Sequence, residues 1–330
     1  MAAERRLGPF EVGPVGLGCM SLSHAYGAPP PEEEAAALLN HALDIGYDHL
    51  DSAALYGFGR NESLIGGALA GRRGEYLLAS KCGMTGVDGK RVIDGRPETL
   101  RRTIDESLMR LGTDAIDLYY LHRKDRQVSI EESVGALGEM VAAGKVRAIG
   151  LSEVSAETLR TAHTVHPIAA VQNEYSPWSR NVELGVLDAT RELGAALVCF
   201  SPMARGFLAG SVSSEEELEQ GDIRRAMPRF QGENLEKNKE LRDSLAAIAG
   251  DAGCTPAQLS LAWVLSRGEH VLVIPGTTKI AHLEDNLAAG DIVLGDETIA
   301  RIDALFAPDA VRGARYNAAT LEEIDTESFG

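Results

Sequence analysis

The chain has 330 residues, of which 44% are hydrophobic and 25% charged, and its formal net charge is −17 at pH 7. This composition is typical of a globular protein with ample material for a core, whereas the negative charge argues against binding to nucleic acid or to an anionic membrane surface. No segment approaches the roughly 20 consecutive apolar residues of a membrane span, and no apolar stretch of a secretory signal follows the first arginines.

The cysteines are scattered along the chain and form no C-x-x-C pair: Cys19, Cys82, Cys199 and Cys254. This spacing indicates free thiols, with neither a disulfide framework nor a zinc site. Free thiols are typical of a reducing compartment, so we expect a cytoplasmic protein.

In chain order, short apolar runs alternate with helical patterns. The runs predict eight strands, at Val15–Gly18, His49–Leu50, Tyr76–Ala79, Ile116–Leu121, Val146–Leu151, Ala169–Val171, Ala196–Phe200 and Val271–Ile274. The patterns between them predict helices with recognisable ends, among them Glu32–Ile45, Pro97–Leu111, Ile130–Ala143 and Thr255–Ser266. Acids or proline in the first turn and glycine after the last residue support several of these ends.

Strands that alternate with helices of this length form parallel β-α-β units. Eight units fit either a closed barrel or a long doubly wound sheet. The first predicted strand is not followed by a G-x-G-x-x-G turn, and the stretch Gly57–Glu62 lacks the final glycine, which weakens the doubly wound alternative. We therefore expect an α/β protein with a single domain over residues 1–330, a parallel eight-stranded (β/α)8 TIM barrel with accessory helices and loops at its C-terminal face.

Reactive side chains follow three of the predicted strands: Asp51 with Tyr56, then Lys81, then His122. Each alone is better explained as a cap, a loop residue or a surface charge, but in a barrel the C-terminal strand ends converge on one mouth. A lysine beside a tyrosine lowers the tyrosine pKa from about 10, and a carboxylate keeps the lysine charged. A neutral histidine can orient a carbonyl oxygen, so the set suits carbonyl reduction with Tyr56 as proton donor.

Four segments, in order across nearly the whole chain, resemble the aldo-keto reductase family: Gly46–Gly57, Leu108–His122, Gly144–Ser152, and Ile274–Lys279 with Asp285 and Asn286. Within the family the chain looks closest to the bacterial and plant branch with the Ile-Pro-Gly-Thr-Thr-Lys signature. The resemblance implies an NADP-dependent oxidoreductase that acts on a small-molecule carbonyl, with Tyr56 as general acid, Lys81 and Asp51 as its partners, and His122 orienting the substrate.

The resemblance also implies NADPH as the cofactor, without a metal. The nicotinamide carboxamide would be held by Ser152 and Gln172, with Tyr175 stacking on the ring, and Glu153 stands where many members have asparagine. The pyrophosphate would lie along Ser201, Pro202, Met203, Ala204, Arg205 and Gly206. The adenosine end would meet Ile274, Gly276, Thr277, Lys279, Asp285 and Asn286, with His282 where many members place an arginine on the 2′-phosphate.

The substrate pocket is less readable from the sequence, and its candidates are Met20, Arg123, Trp178 and residues 312–316. Residues 207–230 form a long connection that we expect to cover the cofactor as a lid, with Arg229 reaching the phosphates. Two other functions stay open. One is an NADPH-binding sensor of the channel β-subunit type with weak turnover. The other, a metal-dependent barrel hydrolase, would need His-x-His where Gly16–Cys19 stands. A homo-oligomer also stays open.

Overall fold

The computed structural model describes residues 3–87 and 90–329. The strands in this part of the chain, numbered in chain order, are β1 (Arg5–Leu7), β2 (Phe10–Val12), β3 (Leu17–Gly18), β4 (His49–Asp51), β5 (Leu77–Cys82), β6 (Met84–Val87), β7 (Lys90–Ile93), β8 (Ile116–Leu121), β9 (Val146–Ser152), β10 (Ile168–Glu174), β11 (Ala196–Phe200) and β12 (Val271–Val273).

The helices follow the same order along the chain. They are α1 (Glu32–Asp44), α2 (Arg60–Ala68), α3 (Pro97–Leu111), α4 (Ile130–Ala142), α5 (Ala156–Val165), α6 (Val186–Leu193), α7 (Gly232–Ala252), α8 (Pro256–Leu265), α9 (Ile280–Ala288), α10 (Asp296–Leu305) and α11 (Ala318–Leu321).

Eight parallel strands form one closed sheet in the order β3-β4-β5-β8-β9-β10-β11-β12. The closure joins the first and last strands: Val15 pairs in parallel with Val273, and the Gly16 N–H donates to the Val273 carbonyl oxygen at 2.9 Å. All eight apolar runs of the sequence contribute to this sheet. The predicted (β/α)8 barrel is therefore confirmed.

The barrel has an apolar interior and a second apolar layer between its strands and the surrounding helices. The hairpin β1–β2 contributes Leu7 and Val12 to the interior cluster and so covers one end of the barrel. Its turn requires glycine, because Gly8 has φ +60° and a Cβ there would lie 2.6 Å from the Cβ of Ala169. This hairpin and the second one, β6–β7, were not predicted, since runs as short and polar as Arg5–Leu7 carry no strand pattern.

The helix ends follow local chemistry closely. The Ser129 hydroxyl oxygen accepts from the Glu132 N–H and the Glu132 carboxylate accepts from the Ser129 N–H, so this capping box starts α4. Thr255 starts α8 in the same way, with proline at the first helical position. The predicted helices agree with α1, α3, α4 and α8 to within about a residue at each end. Within residues 3–87 and 90–329, no helix combines the length and the apolar character needed to cross a membrane.

Candidate active site

The four reactive residues predicted from the strand ends lie together at one mouth of the barrel. The Lys81 ammonium forms an ion pair with Asp51 and donates to the Tyr56 hydroxyl at 3.3 Å. It also donates to the Ser52 carbonyl oxygen at 2.7 Å. The His122 ring meets the Tyr56 ring edge-on, with 5.9 Å between their centroids.

Sheet order explains this convergence. Strands β4, β5 and β8 are neighbours, so Asp51 at the end of β4, Lys81 in β5 and His122 just after β8 reach the same edge. Tyr56 sits in the short 3-10 turn that follows β4, where Gly57 has φ +57°. A Cβ on Gly57 would lie 3.1 Å from the Ser23 carbonyl oxygen, so both the conformation and the space favour glycine.

Burial sets the protonation of these groups. Burial raises the pKa of Tyr56 and Lys81 lowers it, as expected, but burial is the larger effect, so the net shift is upward and the expected net lowering of this pKa is wrong. Burial also lowers the pKa of Lys81, yet the charge of Asp51, followed by the interaction with Tyr56, outweighs it and raises the net value. Burial, followed by the charge of Arg123, holds the pKa of His122 well below 6.5. At neutral pH the site therefore holds a protonated tyrosine, a charged lysine and a neutral histidine.

A cavity of about 320 Å³ opens beside these residues. Besides Asp51, Tyr56 and His122, the predicted site residues that line it are Met20, Arg123, Ser152, Gln172, Ser201, Arg205, Ile274, Gly276 and Tyr316. Gln172 also supports the reactive set, because its amide nitrogen donates to the Asp51 carboxylate at 2.7 Å. The cavity has the volume of a small-molecule pocket.

Two predicted contact residues lie in the core and not at the cavity. Tyr175 is fully buried, packs edge-on against Trp263 with centroids 5.4 Å apart, and donates its hydroxyl to Glu183 at 2.7 Å. Trp178 stacks on Phe207 with centroids 4.8 Å apart. Neither lines the cavity, so the structure contradicts the stacking role predicted for Tyr175 and the pocket role predicted for Trp178.

Glu153 is also held away from the cavity, by a buried charge network. Its carboxylate forms an ion pair with Arg315 and accepts the Glu174 N–H at 2.9 Å. Glu174 in turn pairs with Arg205 at 2.9 Å, and Arg205 donates to the Tyr316 hydroxyl at 2.7 Å. Burial raises the pKa of Glu174, but Arg205 and Arg315 outweigh it and the net shift is downward. The network joins two strand ends, the segment after β11 and the C-terminal segment.

The segment predicted to hold a pyrophosphate turns tightly after β11. Ser201, Ala204 and Arg205 have φ of 51°, 53° and 58°. The Ala204 N–H donates to the Ser201 carbonyl oxygen at 2.8 Å, and the Gly206 N–H donates to that of Met203 at 3.1 Å. Of this segment, Ser201 and Arg205 line the cavity, whereas Pro202, Met203, Ala204 and Gly206 do not.

The segment predicted for the adenosine end follows β12 and leads into α9. Gly276 lies so close to the first strand that a Cβ there would be 2.9 Å from the Gly18 carbonyl oxygen. The Lys279 N–H donates to the Thr277 hydroxyl oxygen at 3.1 Å, just before the first turn of α9. The remaining predicted residues are on that helix: His282 is exposed, Asp285 accepts from the Thr255 hydroxyl at 3.0 Å, and Asn286 is buried.

The connection over residues 207–230 lies against the cavity edge. The Ile223 N–H donates to the Ala25 carbonyl oxygen at 3.0 Å, and the Glu219 carboxylate accepts the Ala28 N–H at 3.2 Å. Ile223 also lines the cavity, with Ala226 and Met227. Arg229 does not line the cavity, because it is half-buried and donates to the Trp178 carbonyl oxygen at 2.9 Å and to the Ser179 hydroxyl at 2.8 Å.

The aldo/keto reductase family model matches residues 14–307 of the chain. The chain belongs to the aldo/keto reductase family. It is 44% identical over 319 residues, 94% of each chain, to the aldo-keto reductase yakc [NADP(+)] of Schizosaccharomyces pombe. It is 27% identical to the solved glycerol dehydrogenase of Gluconobacter oxydans, with a TM-score of 0.85 and coverage of 94% of this chain and 97% of that one. A solved aldo-keto reductase of Klebsiella pneumoniae in complex with NADPH is 26% identical, with a TM-score of 0.73 and coverage of 96% and 99%.

This aldo/keto reductase lines its cavity with residues that the sequence reading missed. Phe200, the last residue of β11, lies on the wall next to Ser201 and pairs in register with Glu174 of β10. Because Phe200 ends the predicted strand Ala196–Phe200, its position in the sequence could have indicated that it lies at the barrel mouth. Asn317 and Thr320 come from the C-terminal segment, and no pattern in the sequence links them to the barrel mouth, whereas Tyr316 beside them belongs to the predicted pocket stretch 312–316. Among the described residues, no group of three or more His, Cys, Asp or Glu side chains could hold a metal ion.

Proposed function

We propose that this protein reduces a small aldehyde or ketone to the alcohol with NADPH, and that Tyr56 is the proton donor. The observation that carries the proposal is the contact of the Tyr56 hydroxyl with Lys81 at 3.3 Å, beside the His122 ring and at the wall of the cavity. The reverse reaction, oxidation of the alcohol, uses the same groups. The Schizosaccharomyces pombe relative, whose name includes NADP(+), and the NADPH complex of the Klebsiella protein support this cofactor.

The residues at the cavity fit a nicotinamide nucleotide. Ser152 and Gln172 present polar groups from β9 and β10 to its wall, and Phe200 offers the aromatic face that Tyr175 cannot. Ser201 and Arg205 line the same cavity, and we assign the pyrophosphate to them. The first turn of α9, next to Lys279, favours a negatively charged group. We assign the 2′-phosphate to Thr277, Lys279 and His282. Contacts of these residues with that phosphate would favour NADPH over NADH, which lacks it. A bound NADPH supplies the hydride.

The chain supplies the proton and the field around it. Tyr56 holds its proton because burial raises its pKa, so it is in the donor form at neutral pH. Lys81 donates to the same oxygen and stabilises the negative charge that develops there as the proton leaves. Asp51 keeps Lys81 charged and Gln172 holds Asp51, while the neutral His122 can donate to the substrate oxygen.

A sensor that binds NADPH with weak turnover is the second candidate. The complete set of Asp51, Tyr56, Lys81 and His122 favours an enzyme. We also propose a cytoplasmic location, because all four cysteines are free thiols.

Nucleotide titration combined with a turnover assay tests the proposal. NADPH and NADH are titrated by fluorescence, and NADPH oxidation is followed with 4-nitrobenzaldehyde and a panel of further aldehydes and ketones. We expect tight NADPH binding, weaker NADH binding and turnover of at least one carbonyl. Lys279→Met should reduce the ratio of the affinity for NADPH to the affinity for NADH. NADPH binding without turnover of any member of the panel would favour the sensor, and a lack of binding by both nucleotides would contradict the assigned cofactor site.

A further inference from the structure

Arg123 stands beside the reactive residues with unused hydrogen-bonding capacity. It directly follows His122, lines the cavity, and is 9% exposed. One terminal nitrogen donates to the His122 carbonyl oxygen at 2.7 Å and lies 3.4 Å from the Ser152 hydroxyl. Its Nε is buried and has no acceptor among the residues that the structure describes. A buried donor without an acceptor costs free energy unless a ligand supplies one.

The other cations at the cavity are each neutralised by a carboxylate. Arg91 pairs with Glu323, and Arg205 pairs with Glu174. Within residues 3–87 and 90–329, Arg123 has no such ion pair, and Asp51, which already pairs with Lys81, is the only carboxylate of the cavity wall. An acidic chain with a net charge of −17 thus keeps, within its described residues, a guanidinium without a carboxylate partner at the wall of this cavity.

We propose that Arg123 determines substrate specificity by binding the carboxylate of an acidic carbonyl substrate. This inference rests on the proposed function, because it takes the reacting carbonyl to lie against Tyr56 and His122. A guanidinium presents donors in a fixed fork that matches a carboxylate, and a charge-assisted contact shielded from water is among the stronger hydrogen bonds. The substrate class is therefore a small aldehyde or ketone with a carboxylate a few bonds away from its carbonyl carbon.

The position of Arg123 separates it from the phosphates of the cofactor. It follows β8, whereas the segments assigned to the pyrophosphate and the adenosine end follow β11 and β12, which lie three and four strands further around the barrel. Next to Arg123 are His122, on the reacting side, and Ser152, which we assign to the nicotinamide. An anion bound here would belong to the substrate and not to the nucleotide.

Matched substrate pairs test the inference directly. The probes are 3-carboxybenzaldehyde and 4-carboxybenzaldehyde, each compared with its neutral methyl ester, and the quantity is the acid-to-ester ratio of kcat/KM with NADPH. We expect the wild-type protein to prefer the acid of at least one pair. Arg123→Met should lower that ratio by about 10-fold to 100-fold, the loss expected for a charge-assisted contact. Arg123→Lys keeps the positive charge but loses the paired donors of the guanidinium, so its acid-to-ester ratio should lie between those of Arg123→Met and wild type.

The control removes the same charge elsewhere. Arg102 lies on α3 with its side chain 62% exposed, and Arg102→Met should leave the acid-to-ester ratio at the wild-type value. Because each variant serves as its own reference, a general loss of folding or turnover does not change the ratio. Equal ratios in wild type and Arg123→Met, with the esters turned over, would overturn this inference while the reductase proposal stands. A weaker affinity of Arg123→Met for NADPH with an unchanged ratio would assign Arg123 to the cofactor and also overturn it. If wild type turned over none of the probes or of the wider carbonyl panel, the proposed function itself would fail.

Discussion

His49, which lies two residues before Asp51 on β4, should make the protein less stable in mild acid. Its side chain is fully buried, and neither ring nitrogen has a hydrogen-bond partner among the described residues. Burial lowers its pKa from 6.5 to about 4, with Asp51 opposing and Lys81 reinforcing that shift. The unfolded chain therefore takes up a proton near pH 6.5 while the folded chain does not until about pH 4, so stability falls as pH falls through this window. The difference corresponds to about 3 kcal/mol.

The assay is urea unfolding at pH values from 7 to 4, with wild type compared with His49→Leu. Other buried histidines contribute to the wild-type slope, so the informative quantity is the difference between the two proteins. We expect the free energy of unfolding of His49→Leu, relative to wild type, to rise by about 3 kcal/mol between pH 7 and pH 4. His282→Leu, the same change at an exposed histidine, should keep the wild-type slope. A difference between His49→Leu and wild type that stays constant with pH would refute the argument, because it would mean that His49 binds its proton equally well in both states.

Three further predictions concern charged groups at the barrel mouth. Lys81→Met should lower the free energy of unfolding by about 3–5 kcal/mol in urea, because it leaves Asp51 buried without a cation; Asp51→Asn in the same chain should restore much of that stability but not turnover. Glu153→Gln should cost about 3 kcal/mol, because it removes the nearer carboxylate of the buried Arg315 and leaves Glu174, which lies 4.0 Å away and is shared with Arg205. The double variant with Arg315→Met should cost less than the sum of the two single changes, which a double-mutant cycle would show. Asp325→Asn should lower the free energy of unfolding by about 1–2 kcal/mol, because Asp325 accepts three hydrogen bonds at the start of α5. Additive costs in the Glu153–Arg315 cycle would contradict the coupling of that pair. An Asp325→Asn variant as stable as wild type would contradict the role given to Asp325.

The barrel and the convergence of the reactive residues were predictable from the sequence, for one physical reason. Buried parallel strands read as apolar runs, and a charged or polar residue just after such a run lies at the mouth wherever the barrel closes. Asp51, Lys81 and His122 obey this rule, and Tyr56 is close enough along the chain to follow Asp51.

Other features depend on packing that the sequence pattern does not record. Tyr175 and Phe200 both lie close to strand ends, but only the structure shows that Tyr175 turns inward to Glu183 while Phe200 faces the cavity. The partner of Glu153 is Arg315, 162 residues away, and no periodicity connects them. The direction of the Tyr56 pKa shift also depended on packing, since it balances burial against the charge of Lys81.

The central claim is that Tyr56 gives the proton that completes carbonyl reduction, and a single-turnover experiment with Tyr56→Phe tests it most directly. The protein is loaded with one equivalent of NADPH and mixed with an aldehyde that the wild type reduces, and the loss of nicotinamide absorbance gives the rate of the chemical step. Because Tyr56 is not assigned to the nucleotide, the variant should bind NADPH as wild type does, while its chemical step slows by about 10²–10⁴-fold. A variant that binds NADPH normally and reduces the aldehyde at the wild-type rate would contradict the account, because another group would then have to supply the proton.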